Sequence, residues 1–174
     1  MTAEFLTFDT SFGPFSVAVN AAGAVVATAF GDREALAVRA PHCRLISNTQ
    51  RASEVRQQLL EYFAGERRTF DLPLAPQGSP FQQRIWRALE QIPYGQTRTY
   101  GELARELGSS ARAVGRANAT NPICVIVPCH RVVGAAGALT GFAFGVPLKQ
   151  RLLELERRGG VPTPLSREKL ALTA

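Results

Sequence analysis

The chain has 174 residues, enough for one substantial core or two small ones, and its 45% hydrophobic and 20% charged residues are the balance of a soluble globular protein. No apolar run approaches the roughly 20 residues needed to span a bilayer, and the opening Met-Thr-Ala-Glu lacks the basic and apolar stretches of a signal peptide, so a cytoplasmic protein with no membrane partner is expected. Cys43, Cys124 and Cys129 have no framework spacing and read as reduced thiols; His42 and His130 are too scattered for a zinc site, so neither a metal nor another cofactor is expected.

The net charge of +6 is unevenly spread: residues 1–79 carry 7 Lys/Arg against 8 Asp/Glu, residues 80–160 carry 11 against 5, and the tail 2 against 1. Excess positive charge in one half is the footprint of a polyanion-binding surface, or plain solubility where no motif supports it.

Residues 1–30 read as β: Phe15, Val17 and Val19 alternate with small or polar residues, Asn20 to Gly23 makes a turn, and residues 24–30 complete a hairpin. The segment 31–46 has no decisive pattern, and His42 and Cys43 within it read as structural. Residues 49–64 are expected to be helical, with Val55, Leu59, Tyr62 and Phe63 on one side and Gly65 as terminator. Residues 68–72 read as an edge strand, and Pro73, Pro76, Gly78 and Pro80 then mark a linker. The expected division is a strand and helix domain at 1–73, a linker at 74–79, a second domain at 80–160 and a loose tail at 161–174.

The second domain opens with a capping box, Ser79-Pro-Phe-Gln82, before a helix whose apolar face is Phe81, Ile85, Trp86 and Leu89. A second box, Thr99-Tyr-Gly-Glu102, opens a short helix that Gly108 closes, and Ser109 or Ser110 caps a third over residues 111–119. Helix, glycine-containing turn, helix is the helix-turn-helix pattern, or an ordinary helical hairpin. The second helix is built of alanines, a glycine, Arg112 and Arg116. It can approach a surface closely but offers little to read bases with, which suits a sequence-independent minor-groove binder.

From Asn121 to Val133, the β-branched Ile123, Val125, Ile126 and Val127 predict a strand that delivers Cys129, His130 and Arg131 in succession. The same pattern suits a buried strand in which Cys129 is a small hydrophobe. A Gly/Ala-rich loop with Phe142 and Phe144 follows, then a helix at 147–157 with Leu148, Leu152 and Leu155 in one arc. Glu156 falls on the apolar side of that helix and needs a partner, either His130 or Lys149. A Cys, a His and a buried Glu suggest an activated thiolate. Neighbours on an extended backbone point to opposite sides, so either the chain turns sharply at Pro128 and Cys129 or a water bridges the thiol and the imidazole.

Val127-Pro-Cys-His-Arg-Val-Val133, with Arg112-Ala-Val-Gly115, Asn121-Pro122 and residues 152–156, closely resembles the O6-alkylguanine-DNA alkyltransferases. The resemblance spans residues 79–156 in order and spacing; residues 1–71 match only in length and strand-helix order. It implies an α/β (α+β) fold: a small N-terminal β-sheet and helix domain, ribonuclease H-like, and a mainly helical C-terminal domain with a helix-turn-helix that binds DNA and accepts the alkyl group. By that resemblance Cys129 takes the alkyl group from O6 of guanine once and irreversibly, His130 is general base through a water, and Glu156 orients it. Asn121 is the hinge, Arg112 replaces the flipped nucleotide, and Tyr100 protonates the departing guanine. The carbonyls of Cys129 and Val132 and the N–H of Ala143 would hold the base, while Ala113, Gly115, Arg131, Phe142 and Phe144 complete the DNA and substrate surface. The implied partner is double-stranded DNA, entered through the minor groove without sequence preference by a monomer.

Two departures carry expectations. The family commonly has Tyr and Gly where this chain has Phe142 and Phe144, so small adducts are expected to react and benzyl-sized ones to be disfavoured. Zinc-binding N-terminal variants need several Cys and His, and only His42 and Cys43 stand there. The rival classes are a Cys/His hydrolase, an alkylated-DNA sensor and a helix-turn-helix regulator.

Overall fold

Aromatic and β-branched residues in alternation pair as strands, and the register places their rings in a row. In the computed structural model, which describes residues 1–159, β1 (Thr2–Thr10), β2 (Gly13–Val19) and β3 (Val25–Phe30) form an antiparallel meander, and β4 (Arg44–Ser47) returns parallel to β1. Phe8 lies opposite Phe15 and Phe15 opposite Phe30, with ring centroids 6.1 and 4.8 Å apart, a cross-strand stack on one face. The expected turn is present: Asn20 Oδ1 accepts from the N–H groups of Ala22 and Ala24, and Gly23 takes φ 80. Residues 1–30 thus hold three strands where the sequence reading had a two-stranded hairpin. The turn between β1 and β2, at Ser11 and Phe12, is marked by Gly13 at φ 92 and Pro14, a Gly-Pro signal that splits the segment into a third strand.

The undecided segment 31–46 contains α1 (Arg33–Arg39), capped by Asp32, as well as β4. Leu36 of α1 packs on Ala3, Ala18, Ala27 and Ala29, whose small side chains let the helix lie close to the sheet. α2 (Ser53–Phe63) covers the opposite face through Val55, Leu59, Tyr62 and Phe63, as its periodicity predicts. The edge strand expected at residues 68–72 does not form. Instead Val25 N–H donates to Pro73 and Ala75 N–H to Val25, and farther along β3 the Thr28 N–H donates to Pro122. The free edge of β3 is therefore covered by two short segments of later chain.

Both expected capping boxes are formed. Ser79 and Gln82 open α3 (Pro80–Glu90), and Thr99 and Glu102 open α4 (Tyr100–Leu107), which ends at Gly108 with φ 61. Ser110 caps α5 (Ala111–Ala119), completing a helix-turn-helix. On α3, Ile85, Trp86 and Leu89 are buried, but Phe81 is 38% exposed, because its first turn begins before the helix reaches the core.

The stretch from Asn121 to Val133 is buried but is not the expected strand. It makes isolated bridges at Ile123 and between Cys124 and Val127, turns through Val125 at φ 73, and enters a 3-10 turn at Cys129–Arg131. Pro122 and Pro128 bound the β-branched run without an N–H to donate, and within it Val125 at positive φ turns Val127 N–H back to Ile123 O, so no continuous ladder forms. Only then does β6 (Val132–Val133) pair, parallel to β5 (Arg98–Thr99). α6 (Val146–Arg157) closes the described chain, and the tail expected at residues 161–174 lies outside it. One apolar cluster runs through both halves, from Phe15 and Leu59 to Trp86, Ile123 and Leu152. No helix among the described residues is long and apolar enough to cross a membrane.

Candidate active site

The 3-10 turn settles how adjacent Cys129 and His130 are arranged. Cys129 N–H donates to Val127 O at 2.8 Å and Arg131 N–H to Pro128 O at 3.0 Å, so the chain turns sharply here. His130 goes fully inside, and its Nε2 lies 2.8 Å from Glu156 Oε1. That carboxylate also accepts from Tyr62 Oη at 2.7 Å, from Arg131 Nε and Nη2 at 2.9 Å each, and from Gly95 N–H at 3.2 Å. Burial alone would raise the Glu156 pKa, but His130 and Arg131 outweigh it and hold the carboxyl well below the usual range. An ionised carboxylate only accepts, so the network assigns the imidazole proton to Nε2. His130 Nδ1 is then a lone pair, and it is buried with no protein hydrogen-bond partner. Burial also lowers the His130 pKa against the pull of Glu156, which favours the neutral ring.

Of the two partners open for Glu156, His130 is the one found. Lys149 is buried too, but its Nζ donates to the carbonyls of Val132, Thr140 and Gly141 at 2.5, 3.3 and 3.3 Å. One expectation is thereby corrected. Arg131, expected on the DNA surface, is buried, forks onto Glu156 and donates through Nη1 to Ile92 O at 2.6 Å, because the turn at Cys129 folds inward what an extended strand would have left solvated. Val132 is buried in β6, and its carbonyl accepts from Lys149 with one of its two lone pairs.

Cys129 faces a cavity of about 280 Å³ whose walls include Tyr100, Gly115, Asn121, Phe142, Ala143 and Phe144. Burial pushes the Cys129 thiol up, while the Asn121 amide and the charges of Arg39 and Lys149 pull it down. Cys124 lines the same cavity, and burial raises its thiol to about 12. Asn121 joins α5 to the turn at Cys129: its Nδ2 donates to Val127 O at 2.9 Å and its Oδ1 accepts from Ile123 N–H at 3.0 Å. Tyr100, first in α4, sets its ring against Gly115, where an added Cβ would lie 3.9 Å away, and its hydroxyl donates to Thr140 O at 3.4 Å. Arg112 is exposed in the first turn of α5 beside the half-buried Ala113, and neither lines the cavity.

Three participants escaped the sequence reading. Tyr62 was legible only as part of an apolar helix face, and Arg39 lies in the undecided segment. Asn118, which donates to Cys129 O at 3.3 Å, sits four residues after Val114 on the inner face of α5, a spacing that marks it as buried.

Comparison with known proteins fits this geometry. Residues 5–76 match the ribonuclease-like domain of 6-O-methylguanine DNA methyltransferase, and residues 80–158 match the DNA binding domain of the same family. The methylated-DNA–protein-cysteine methyltransferase of Methanosarcina acetivorans is 54% identical over 113 residues, 64% of this chain and 72% of the relative. The chain belongs to the 6-O-methylguanine DNA methyltransferase family. The constitutive enzyme of Bacillus subtilis is 53% identical over 112 residues, 63% of this chain and 68% of that one. Among solved members, the Mycobacterium tuberculosis O6-methylguanine methyltransferase superposes with a TM-score of 0.78 at 40% identity, covering 99% of both chains. A structure of the Mycobacterium tuberculosis OGT in complex with DNA gives the same TM-score and identity over 90% of this chain and 94% of that one. The match to a ribonuclease-like domain agrees with the α/β fold expected from the resemblance. Among the described residues no group of three or more His, Cys, Asp or Glu could hold a metal ion.

Proposed function

We propose that this protein is a DNA repair enzyme that transfers an alkyl group from O6 of guanine to Cys129 in one irreversible turnover. The observation that carries the reading is the buried Glu156 to His130 pair behind Cys129, which leaves His130 Nδ1 as a lone pair free to take a proton. In the proposed sequence, the Cys129 thiol gives its proton to Nδ1 through a water, and Glu156 stabilises the imidazolium that forms. The thiolate sulfur attacks the alkyl carbon, the S–C bond forms as the C–O6 bond breaks, and the electron pair stays on guanine. Tyr100, on the cavity wall, protonates the departing base so that it leaves neutral.

The alkyl group is buried in a duplex, so the base must leave the stack at a cost of roughly a few kcal/mol. Arg112, exposed on the small-residue helix α5, is suited to fill the space left behind. DNA is the partner; the finer reading is that α5 enters the minor groove without sequence preference and that the protein acts as a cytoplasmic monomer. The division at residues 74–79 is retained as part of the proposal. The test is intact mass after incubation with a duplex carrying O6-methylguanine. One added methyl, absent from Cys129→Ser, is expected; binding without any adduct would identify a sensor or a regulator instead.

A further inference from the structure

The cavity in front of Cys129 has one wall from the first half of the chain. Arg39, the last residue of α1, donates from Nη1 to Ala119 O at the end of α5, at 3.0 Å. Its guanidinium carbon stands 4.9 Å from the centroid of Phe144. Phe144 also packs edge-on against Phe30 of β3 at 5.4 Å and against Phe142 at 5.8 Å. A bulky ring in a loop otherwise rich in glycine and alanine is thus pinned from two sides by the first half.

Behind Arg39 lies a second cavity, of about 560 Å³, with Val38, His42, Trp86 and Pro122 in its walls. Arg39 and Ala119 line both cavities, so the guanidinium is part of the partition between them. The front cavity, at about 280 Å³, is at or below the small end of ligand pockets, which run from about 300 to 1,000 Å³. Space for a larger group therefore exists, but on the far side of Arg39.

We propose that Arg39 is a specificity-determining residue: it clamps Phe144 over the acceptor cavity and walls off the cavity behind, so that small adducts fit beside Cys129 and benzyl-sized ones do not. The inference rests on the reading of Cys129 as the alkyl acceptor. A planar guanidinium stacks flat on the ring while a fixed N–H donates to Ala119 O; an ammonium is a compact point charge without that stacking surface, so lysine is not a conservative replacement here.

Single-turnover rate constants for duplexes containing O6-methylguanine and O6-benzylguanine test this in the wild type, Arg39→Ala, Arg39→Lys and Phe144→Ala. The benzyl-to-methyl ratio rises roughly tenfold in Arg39→Ala and Phe144→Ala, equivalent to about 1.4 kcal/mol, and less in Arg39→Lys. The ratio is insensitive to a general loss of active protein, so equal loss of both rates in Arg39→Ala marks a merely structural residue and overturns the proposal. A rise in Phe144→Ala alone also overturns it, by showing that the ring narrows the cavity without the clamp. Should Arg39→Ala lose its helical signal, Arg39→Lys with Phe144→Ala decides by the same criterion. A wild type that transfers neither group overturns the acceptor reading instead.

Discussion

Replacing Glu156 by glutamine isolates the charge at the centre of the buried network. Oε1 accepts from Tyr62, His130 and Arg131, and Oε2 from Arg131 and Gly95. A glutamine must place its NH2 at one of these positions. At Oε2 it meets two donors, and at Oε1 three, of which only the tyrosine hydroxyl and the imidazole can reverse roles. Arg131 is left buried without a counter-charge, and breaking such a pair costs about 3–5 kcal/mol. For a chain of this size each kcal/mol moves Tm by about 2–4 °C, so a fall of roughly 6–20 °C at pH 7 is expected in thermal unfolding followed by circular dichroism. The pH dependence supplies the sign. Glu156 titrates below its ordinary 4.5 in the fold, so its contribution is complete above pH 4.5 and is lost as pH falls toward the folded value. His130, pushed below its ordinary 6.5, likewise withdraws stability as pH drops below 6.5. The gap between wild type and Glu156→Gln should therefore narrow below pH 4.5, where the carboxylate is protonated, and not before. His130 withdraws stability from both proteins, and more from the variant, which lacks the Glu156 charge that raises the His130 pKa. A variant within about 1 kcal/mol of wild type at pH 7, or a gap that stays constant into acid, would refute the assignment of Glu156 as the ionised centre of the site.

Without DNA, Cys129 should be slow toward iodoacetamide near neutral pH, because burial holds its thiol above the ordinary 9.0. Peptide mapping should show the half-buried Cys43 labelled first and Cys124 last; preferential labelling of Cys129 would mean that the cavity activates the thiol before substrate arrives. Lys149→Met removes the donor shared by the carbonyls of Val132, Thr140 and Gly141, and should lower stability by about 1–3 kcal/mol in urea unfolding and slow methyl transfer. Unchanged stability and rate would show that the loop holding Phe142 and Phe144 keeps its shape without that tie.

What could be read from the sequence divides by the range of the interaction. Capping boxes are local, so Ser79 and Thr99 marked their helices to the residue, and the cap of α5, open between Ser109 and Ser110, is Ser110. Glu156 was legible because a carboxylate on an apolar stripe must find a partner, a demand set by burial alone. The stretch before Cys129 differs from the expected strand because β-propensity describes side chains on a pleated surface, whereas here, between Pro122 and Pro128, the backbone turns at Val125 and Val127 N–H bonds back to Ile123 O. Arg131 followed from that error: once the chain turns at Cys129, the arginine points at Glu156 and not at solvent.

The remaining misses share a cause. Tyr62 on α2, Arg39 on α1 and Phe30 on β3 come from the half that carries no excess positive charge, yet they touch Glu156, Phe144 and the end of α5. Charge and linker composition place the boundary near residues 74–79, but the apolar cluster crosses it, and Thr28 donates to the segment before Cys129, from its backbone N–H to Pro122 O and from its side chain to Cys124 O at 2.7 Å. In an isolated second half, Glu156 would lose the Tyr62 hydroxyl and Phe144 both of its first-half neighbours. The first half is thus more than a scaffold: the second carries Cys129, His130 and Glu156, and the first supplies one donor to the carboxylate behind His130 and one wall of the cavity in front of Cys129.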